Sequence, residues 1–470
     1  MQQNGQIMKK QLIIIGAGLI LASGCKKFID VNNDPNRPIT VNESQILPAV
    51  ETAISHSLFA GYDAILAQHY VQSVALNQPV PNSGTYMMVN SESDGDWTNA
   101  YTTVMNNLNT LIKQAEGNGN TAYAGISKIL FAYALGTATD FWGDVPFSEA
   151  LKGAENFVPI YDSQESIYSA VQTYLDNGIA DLQNPSGKAP ESDDFFYSGD
   201  LEKWVKLAYT LKARYYMHLT KAPGHTAAEQ AGKALDALSK GMTENADDLK
   251  FSYTGAAGQE NPWFLTFLPG STLVLSEHLV DGLKATDDPR LPVIVAPAQS
   301  DGEYRGRAIG DPDLGSLESY SIAASFYGGA DSYNYIVTYS EALFLKAEAT
   351  LIQSGAAAAQ PVYKDAILSN MTKLGLSANA ADVTAYLAAR GSLTEDNALQ
   401  MIMEEKSVAD IFNLENWVDW RRTGFPELTK VPNALSDIPR RLLYPQLEII
   451  SNPQPQQSAK LTDRLWWDTP

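Results

Sequence analysis

Apolar residues recur along most of this chain at three- and four-residue steps, and that spacing commits it to helices. Between Ser163 and Gln183 the apolar positions are Ile167, Val171, Tyr174, Leu175, Ile179 and Leu182, one face of a helix. Leu201, Trp204, Val205, Ala208, Leu211, Tyr215 and Leu219 form a second stripe. Ala342, Leu345, Ala349 and Ile352 form a third, and Ala398, Met401, Ile402, Val408, Ile411 and Phe412 a fourth. Further helical stretches fall near 46–60, 63–77, 97–116, 121–140, 226–240, 272–285 and 361–374. Asp162, three residues before Glu165, is a candidate N-terminal cap. Alternating patterns are scarce, apart from short strand candidates such as Arg290 to Val295 and Tyr335 to Thr338. Many helices with short connections predict a mainly all-α fold of stacked helical hairpins. Trp204-x2-Leu207-Ala208 looks like the start of a tetratricopeptide unit, although no regular repeat period runs through the chain.

The N-terminus is a second constraint. Met8-Lys9-Lys10 precedes the apolar run Leu12 to Ala22, a positive region followed by a hydrophobic one, as in a secretory signal. The run is shorter than the roughly 20 residues of a spanning helix. It ends in Leu21-Ala22-Ser23-Gly24-Cys25, and small residues ahead of a cysteine suit cleavage before a lipidated thiol. Cys25 is the only cysteine in the chain, so it is the expected lipidation site and no disulfide is possible within the chain. Residues 1–24 are expected to be removed. Residues 25–45, rich in Asn, Pro and Asp, read as the lipidated cysteine and a tether. The run starting at Asp30 is not an EF-hand loop, since Pro35 and Val41 stand where Gly and Glu are needed. Residues 46–470 are expected to form a single ligand-binding domain.

Charge and motifs narrow the chemistry. The formal net charge is −21, and loss of Lys9 and Lys10 makes it −23. Such a chain repels phosphate backbones, so nucleic acid is not an expected partner. There is no phosphate-binding loop, no dinucleotide fingerprint and no nucleophile elbow. Cysteine-based metal sites are excluded, and the histidines, His56 and His69 among them, show no metal-ligand pattern. No cofactor or metal is expected, and no catalytic residue stands out.

Several ordered segments resemble the SusD/RagB family, in particular the SusD-like outer-membrane lipoproteins of Bacteroidetes. They include Asp140-Phe141-Trp142-Gly143-Asp144-Val145-Pro146-Phe147, Pro159-Ile160-Tyr161-Asp162, and Gly199-Asp200 with Trp204 and Leu211 to Arg214. Tyr339 to Ala349 with Glu341 and Glu348 follows, then Glu405-Lys406, Trp417, Arg421-Arg422, Pro439-Arg440-Arg441, Tyr444-Pro445 and Trp466-Trp467-Asp468. Lys26-Lys27-Phe28-Ile29 after the cysteine also suits it. Trp142 is a departure, standing where an aliphatic residue or tyrosine is expected. The resemblance implies a helical fold with tetratricopeptide-like pairs and long irregular loops. It implies an outer-membrane lipoprotein facing the cell exterior, and partnership with a SusC-like TonB-dependent transporter. It also implies a captured ligand, oligosaccharide in most members and peptide in some, and supplies no catalytic residues.

The family motifs read as structural. Trp142, Pro146, Trp204 and Trp417 are expected in the core. Arg214, Glu341, Glu348, Glu405, Arg421 and Arg422 lie on or beside apolar stripes, which predicts buried ion pairs. Ligand contacts must then come from the two irregular regions, Thr85–Trp97 and Phe251–Tyr335, because loops on a rigid scaffold carry function. Sugars need aromatic faces for their C–H surfaces and polar groups for their hydroxyls. One candidate cluster is Tyr86, Asp94, Asp96 and Trp97. The other is Trp263, Tyr304, Tyr327, Tyr333 and Tyr335, with Asn261, Arg305 and Asp331 as polar partners. The expected function is non-enzymatic capture of an oligosaccharide for import. Peptide capture, a lipid-anchored glycoside hydrolase and a protein-binding scaffold are the competing readings.

Overall fold

The computed structural model describes residues 41–454 and 458–470, so Cys25, the expected signal peptide and most of the expected tether lie outside the described residues. The long helices run α1 (Glu43–Ala53), α2 (Tyr62–Tyr70), α3 (Asn106–Asn118), α4 (Thr121–Trp142), α5 (Gln164–Gln183), α6 (Leu201–His218) and α7 (Ala227–Leu238). They continue with α8 (Glu277–Ala285), α9 (Tyr339–Ser354), α10 (Ala356–Lys373), α11 (Ala381–Arg390), α12 (Ala398–Ala409) and α13 (Glu415–Thr423). Glu43–Pro470 is one compact unit. The helical unit therefore begins at Glu43, inside the expected tether, and its carboxylate accepts amide hydrogens from Asn118 and Asn120.

Neighbouring helices pack in chain order: α3 on α4, α4 on α5, α5 on α6, α6 on α7, and α9 on α10. The crossing of α4 and α5 is tight at Gly125 and Gly178, where a methyl group on either would press on the backbone carbonyl of the other. The predicted stripes face inward: Ile167, Val171 and Leu175 on α5 and Trp204, Leu207 and Leu211 on α6 are fully buried. Trp142, Pro146 and Trp417 are buried too, and Trp142 fits as a ring set edge-on to Trp97 at 4.8 Å.

Short antiparallel strand pairs interrupt the helices. They are β1 (Val74–Leu76) with β5 (Leu273–Leu275), β2 (Val145–Pro146) with β3 (Tyr161–Asp162), β4 (Leu249–Phe251) with β8 (Asn334–Val337), and β6 (Val295–Ala296) with β7 (Ile322–Ala323). The helix expected over 63–77 ends at Tyr70 because Val74–Leu76 pairs with β5. The one expected over 272–285 starts only at Glu277, after the Ser276 hydroxyl accepts the Leu279 amide. A π-helical stretch, Asn99–Met105, splits the one expected over 97–116. Tyr335–Val337 is a strand as expected. Arg290–Val295 is not: Leu291–Ile294 is a helical turn with Pro292 in its first turn, where proline is tolerated. Asp162 is not the cap of α5 either. Its carboxylate accepts the amides of Phe147 and Ser148, and Ser163 caps the helix.

Buried charges tie these layers together. Arg214 on α6 forms a two-pronged pair with Glu341 on α9, at 2.7 and 2.6 Å, and reaches Glu415 on α13 at 3.5 Å. His218 lies 2.9 Å from Glu415 and 2.9 Å from the Tyr168 hydroxyl, which donates to Asp140 at 2.5 Å. Arg422 grips Glu348 and Asp419, and Lys406 meets Asp419 at 2.6 Å. Glu405 pairs with Arg290 and accepts the Tyr386 hydroxyl. Arg421 departs from the expectation of an ion pair. It donates to the carbonyls of Asp140 and Arg440, and its guanidinium lies between the rings of Trp417 and Trp467, at 3.8 and 4.9 Å. Burial lowers it to about 10.

One pair carries strain of the opposite sign. Asp63 on α2 is fully buried, and Asp96 accepts its backbone amide at 2.6 Å. Burial raises Asp96 from its ordinary 3.8 to about 6, and burial with the Asp96 charge holds Asp63 well above its usual range.

Two outcomes follow from these contacts. Arg214→Leu leaves Glu341 buried without its partner and should cost about 3–5 kcal/mol in chemical denaturation; a loss under about 1 kcal/mol would mean the pair is not desolvated. For Asp96, the folded state keeps a proton up to about pH 6 that the unfolded chain loses near 3.8, so stability falls as pH rises through that window. Asp96→Asn removes that loss: Tm should rise by about 2 °C or more above pH 6, with the gain fading toward pH 4, as followed by thermal melts across pH.

Candidate ligand-binding site

The first predicted cluster is drawn into the core. Tyr86 sits at a left-handed φ of 66° with its ring buried edge-on to Tyr70. Trp97 is buried among Trp142, Tyr101 and Tyr161. Asp94 accepts the Leu447 amide at 3.0 Å, and Asp96 is held by Asp63. These four side chains bind loop to helix and leave no aromatic face open.

The second cluster is brought together only in part. Asn261 caps the short helix Pro262–Thr266, accepting the Trp263 amide and donating to Ser332 and Asn334. Trp263 stacks on Phe412 with ring centres 4.6 Å apart, and Tyr327 stands edge-on to the same ring. Tyr335 stacks on Phe326, and the exposed ring of Tyr333 lies under the Lys250 ammonium at 4.6 Å. Trp263, Tyr327, Tyr333 and Tyr335 border one crevice, but it holds about 10 Å³, room for no more than about one water. Tyr304, Arg305 and Asp331 do not line that crevice. The Tyr304 carbonyl accepts Lys284, and Arg305 pairs with Asp301 at the surface. Asp331 is exposed beside Gly255.

The same irregular region does build a usable groove, from neighbouring residues. It measures about 280 Å³ and is lined by Phe264, Leu268, Pro297, Gln299, Glu318 and Tyr320, among others. Phe264 follows the buried Trp263 on one helical turn and is only half-buried. Tyr320 is held in place: Arg307 donates to its hydroxyl at 3.0 Å and its guanidinium lies over the ring. Arg307 is itself buried and donates to the carbonyls of Leu76 and Asp311. The groove thus offers the half-buried rings of Phe264 and Tyr320 beside the buried Phe267, with Gln299 and Glu318 for hydroxyl groups. The groove lies within the glycine-rich stretch 251–335 that reads as irregular in the sequence. Nothing in the sequence told which of two adjacent aromatics would face out.

Asp140, His218 and Glu415 bring donor atoms within 4.8 Å of one another, a spacing a metal ion could use. Their atoms are already engaged with Tyr168, Arg214 and each other in the core. Among the described residues no helix is long and apolar enough to cross a membrane.

Comparison with known proteins places this architecture. Residues 35–445 match the SusD-like family model described as "Starch-binding associating with outer membrane". No curated protein matches the chain. Among solved structures, a chitin-binding protein is similar at 25% identity and a TM-score of 0.79, over 91% of this chain and 100% of that one. A SusD/RagB family protein from Bacteroides thetaiotaomicron is similar at 25% identity and a TM-score of 0.77, over 91% and 99%. A chitin-binding SusD homolog from Flavobacterium johnsoniae, at 22% identity and a TM-score of 0.77 over 90% and 98%, shares the fold. With a family model spanning residues 35–445 and a similar structure over 91% of its length, the chain belongs to the SusD-like family.

Proposed function

We propose that this protein is a cell-surface lipoprotein, anchored through Cys25, that captures an oligosaccharide in the Phe264–Tyr320 groove for import through a SusC-like TonB-dependent transporter. The single observation that carries ligand capture is the groove itself, with an aromatic ring pinned by a buried arginine beside unburied polar groups. A sugar ring laid on Tyr320 and Phe264 buries C–H surface, and its hydroxyls meet Gln299 and Glu318. The starch-binding family model and the similarity to a chitin-binding protein support a carbohydrate ligand. The transporter partnership rests on the family resemblance.

Bond cleavage is not part of the proposal. A glycoside hydrolase sets two carboxylates across the bond, and Glu318 is the only carboxylate among the groove's lining residues. A scaffold that binds only protein would have no need of an aromatic groove. Peptide capture is the nearest competitor, since both aromatic stacking and Glu318 could serve a basic peptide.

Titration calorimetry of the protein from Lys26 onward against chitin and starch oligosaccharides and basic peptides, with each mixture assayed for cleavage, tests this. Phe264→Ala should weaken glycan binding about tenfold without lowering Tm; Tyr320→Ala should weaken it similarly and also lower Tm, because buried Arg307 loses its hydroxyl acceptor. Trp97→Ala and Trp263→Ala should instead lower Tm, since both rings are buried. Binding of peptide alone would move the ligand class, and cleavage would overturn the capture reading. For the anchor, Cys25→Ser should release the protein from the membrane fraction of cells, with the soluble product melting as before.

A further inference from the structure

We propose that a second cleft, where α8, α11 and α12 meet, is a separate binding site for a ring-sized ligand bearing a protonated amine, an amino sugar by its chemistry. The cleft measures about 370 Å³, larger than the groove. That volume accommodates one or two sugar rings and is within the range of ordinary small-molecule sites. Leu283, Val408 and Pro426 give it an apolar wall for a ring face.

The lining also carries hydrogen-bond acceptors. Asn416 lines the cleft and is 4% exposed. Its amide nitrogen donates to the Ser407 carbonyl at 2.9 Å, while its oxygen is buried with no partner among the described residues. A buried acceptor without a donor costs free energy, and a ligand N–H or O–H removes that cost. Four carboxylates also line the cleft, those of Asp288, Glu404, Glu405 and Glu427. Arg390 in the lining and Arg290 behind it, paired with Asp288, Glu404 and Glu405, offset two of these charges. The remainder is a net negative lining, with the exposed Glu427 carboxylate among it. A neutral sugar would satisfy Asn416 and leave that charge unused; a protonated amine answers both.

The contrast with the groove is chemical. Its lining includes Phe264 and Tyr320 and a single carboxylate, whereas Tyr386 is the only aromatic in this cleft besides His278, and its hydroxyl is committed to Glu405. The two sites would therefore sort ligands by charge, and this inference stands apart from the proposal for the groove.

Gly282 on α8 provides the test. It lines the cleft, and a Cβ there meets nothing within 4 Å, so a larger side chain can be added at the cleft without a clash. The full chain in detergent is titrated with glucosamine, N-acetylglucosamine and glucose below the amine's pKa. Glucosamine should bind saturably and more tightly than the two neutral sugars, and more weakly as salt is added. Gly282→Leu should abolish this binding and Glu427→Gln weaken it at least fivefold, while the groove variant Phe264→Ala leaves it unchanged. Absence of saturable glucosamine binding, equal binding of all three sugars, or survival of binding in Gly282→Leu would each overturn the proposal. Loss in Phe264→Ala would overturn it too, by placing the amine in the groove. Binding of neutral oligosaccharides by the same samples reports on the groove independently.

Discussion

The guanidinium of Arg214 is the point on which the helical array is hung. It is buried to 2% exposure, and a charge in that position is tolerated only if its donors are met. Glu341 meets two of them and Glu415 lies against a third, so α6, α9 and α13 are held at one relative setting. Glu415 passes the constraint on to His218, and His218 through Tyr168 to Asp140 near the end of α4. Apolar packing alone would let these helices slide by a residue at modest cost. Ion pairs with fixed geometry do not, because a slipped register leaves a charge in the core without a partner. The irregular loops depend on this, since they are displayed from helices that cannot shift.

What was legible in the sequence follows from what is local. The stripes on α5 and α6 were readable because burial of one helical face is written at fixed spacing. The charged residues on those stripes were readable as buried pairs for the same reason. Their partners were not, because Arg214 and Glu341 are 127 residues apart and nothing local joins them. Arg421 shows the limit most clearly. Its acceptors are backbone carbonyls and its other contacts are ring faces, none of which leaves a charge pattern to read. The strand pairs failed in a similar way. β1 and β5 are three residues each and exist through one another, across nearly two hundred residues of chain.

The candidate groove lies in a region the sequence marks as irregular, but its lining residues were not legible. Trp263 and Phe264 are neighbours on one turn, and a sequence reading prefers the tryptophan as a sugar platform. The larger ring gains more from burial and finds a partner in Phe412, which leaves the phenylalanine half-buried. The same competition took Trp97 and Tyr86. Aromatic residues in an irregular region are wanted twice, to hold the loop together and to meet a ligand. In a region without regular hydrogen bonding the first demand takes the largest rings.

What is left for a ligand is therefore modest, and its support decides its value. Tyr320 is fixed by Arg307, which is in turn fixed by two backbone carbonyls, so its ring loses little freedom on contact with a ligand. Phe264 has only a short helix beneath it. As the proposed site, a groove with one pre-set ring and one looser ring would bind through a few contacts, without enclosing the ligand. Such binding is quick to reverse, because few interactions must break together. A protein proposed to hand its ligand onward gains from that. Tight enclosure would raise affinity and slow the release on which transfer depends.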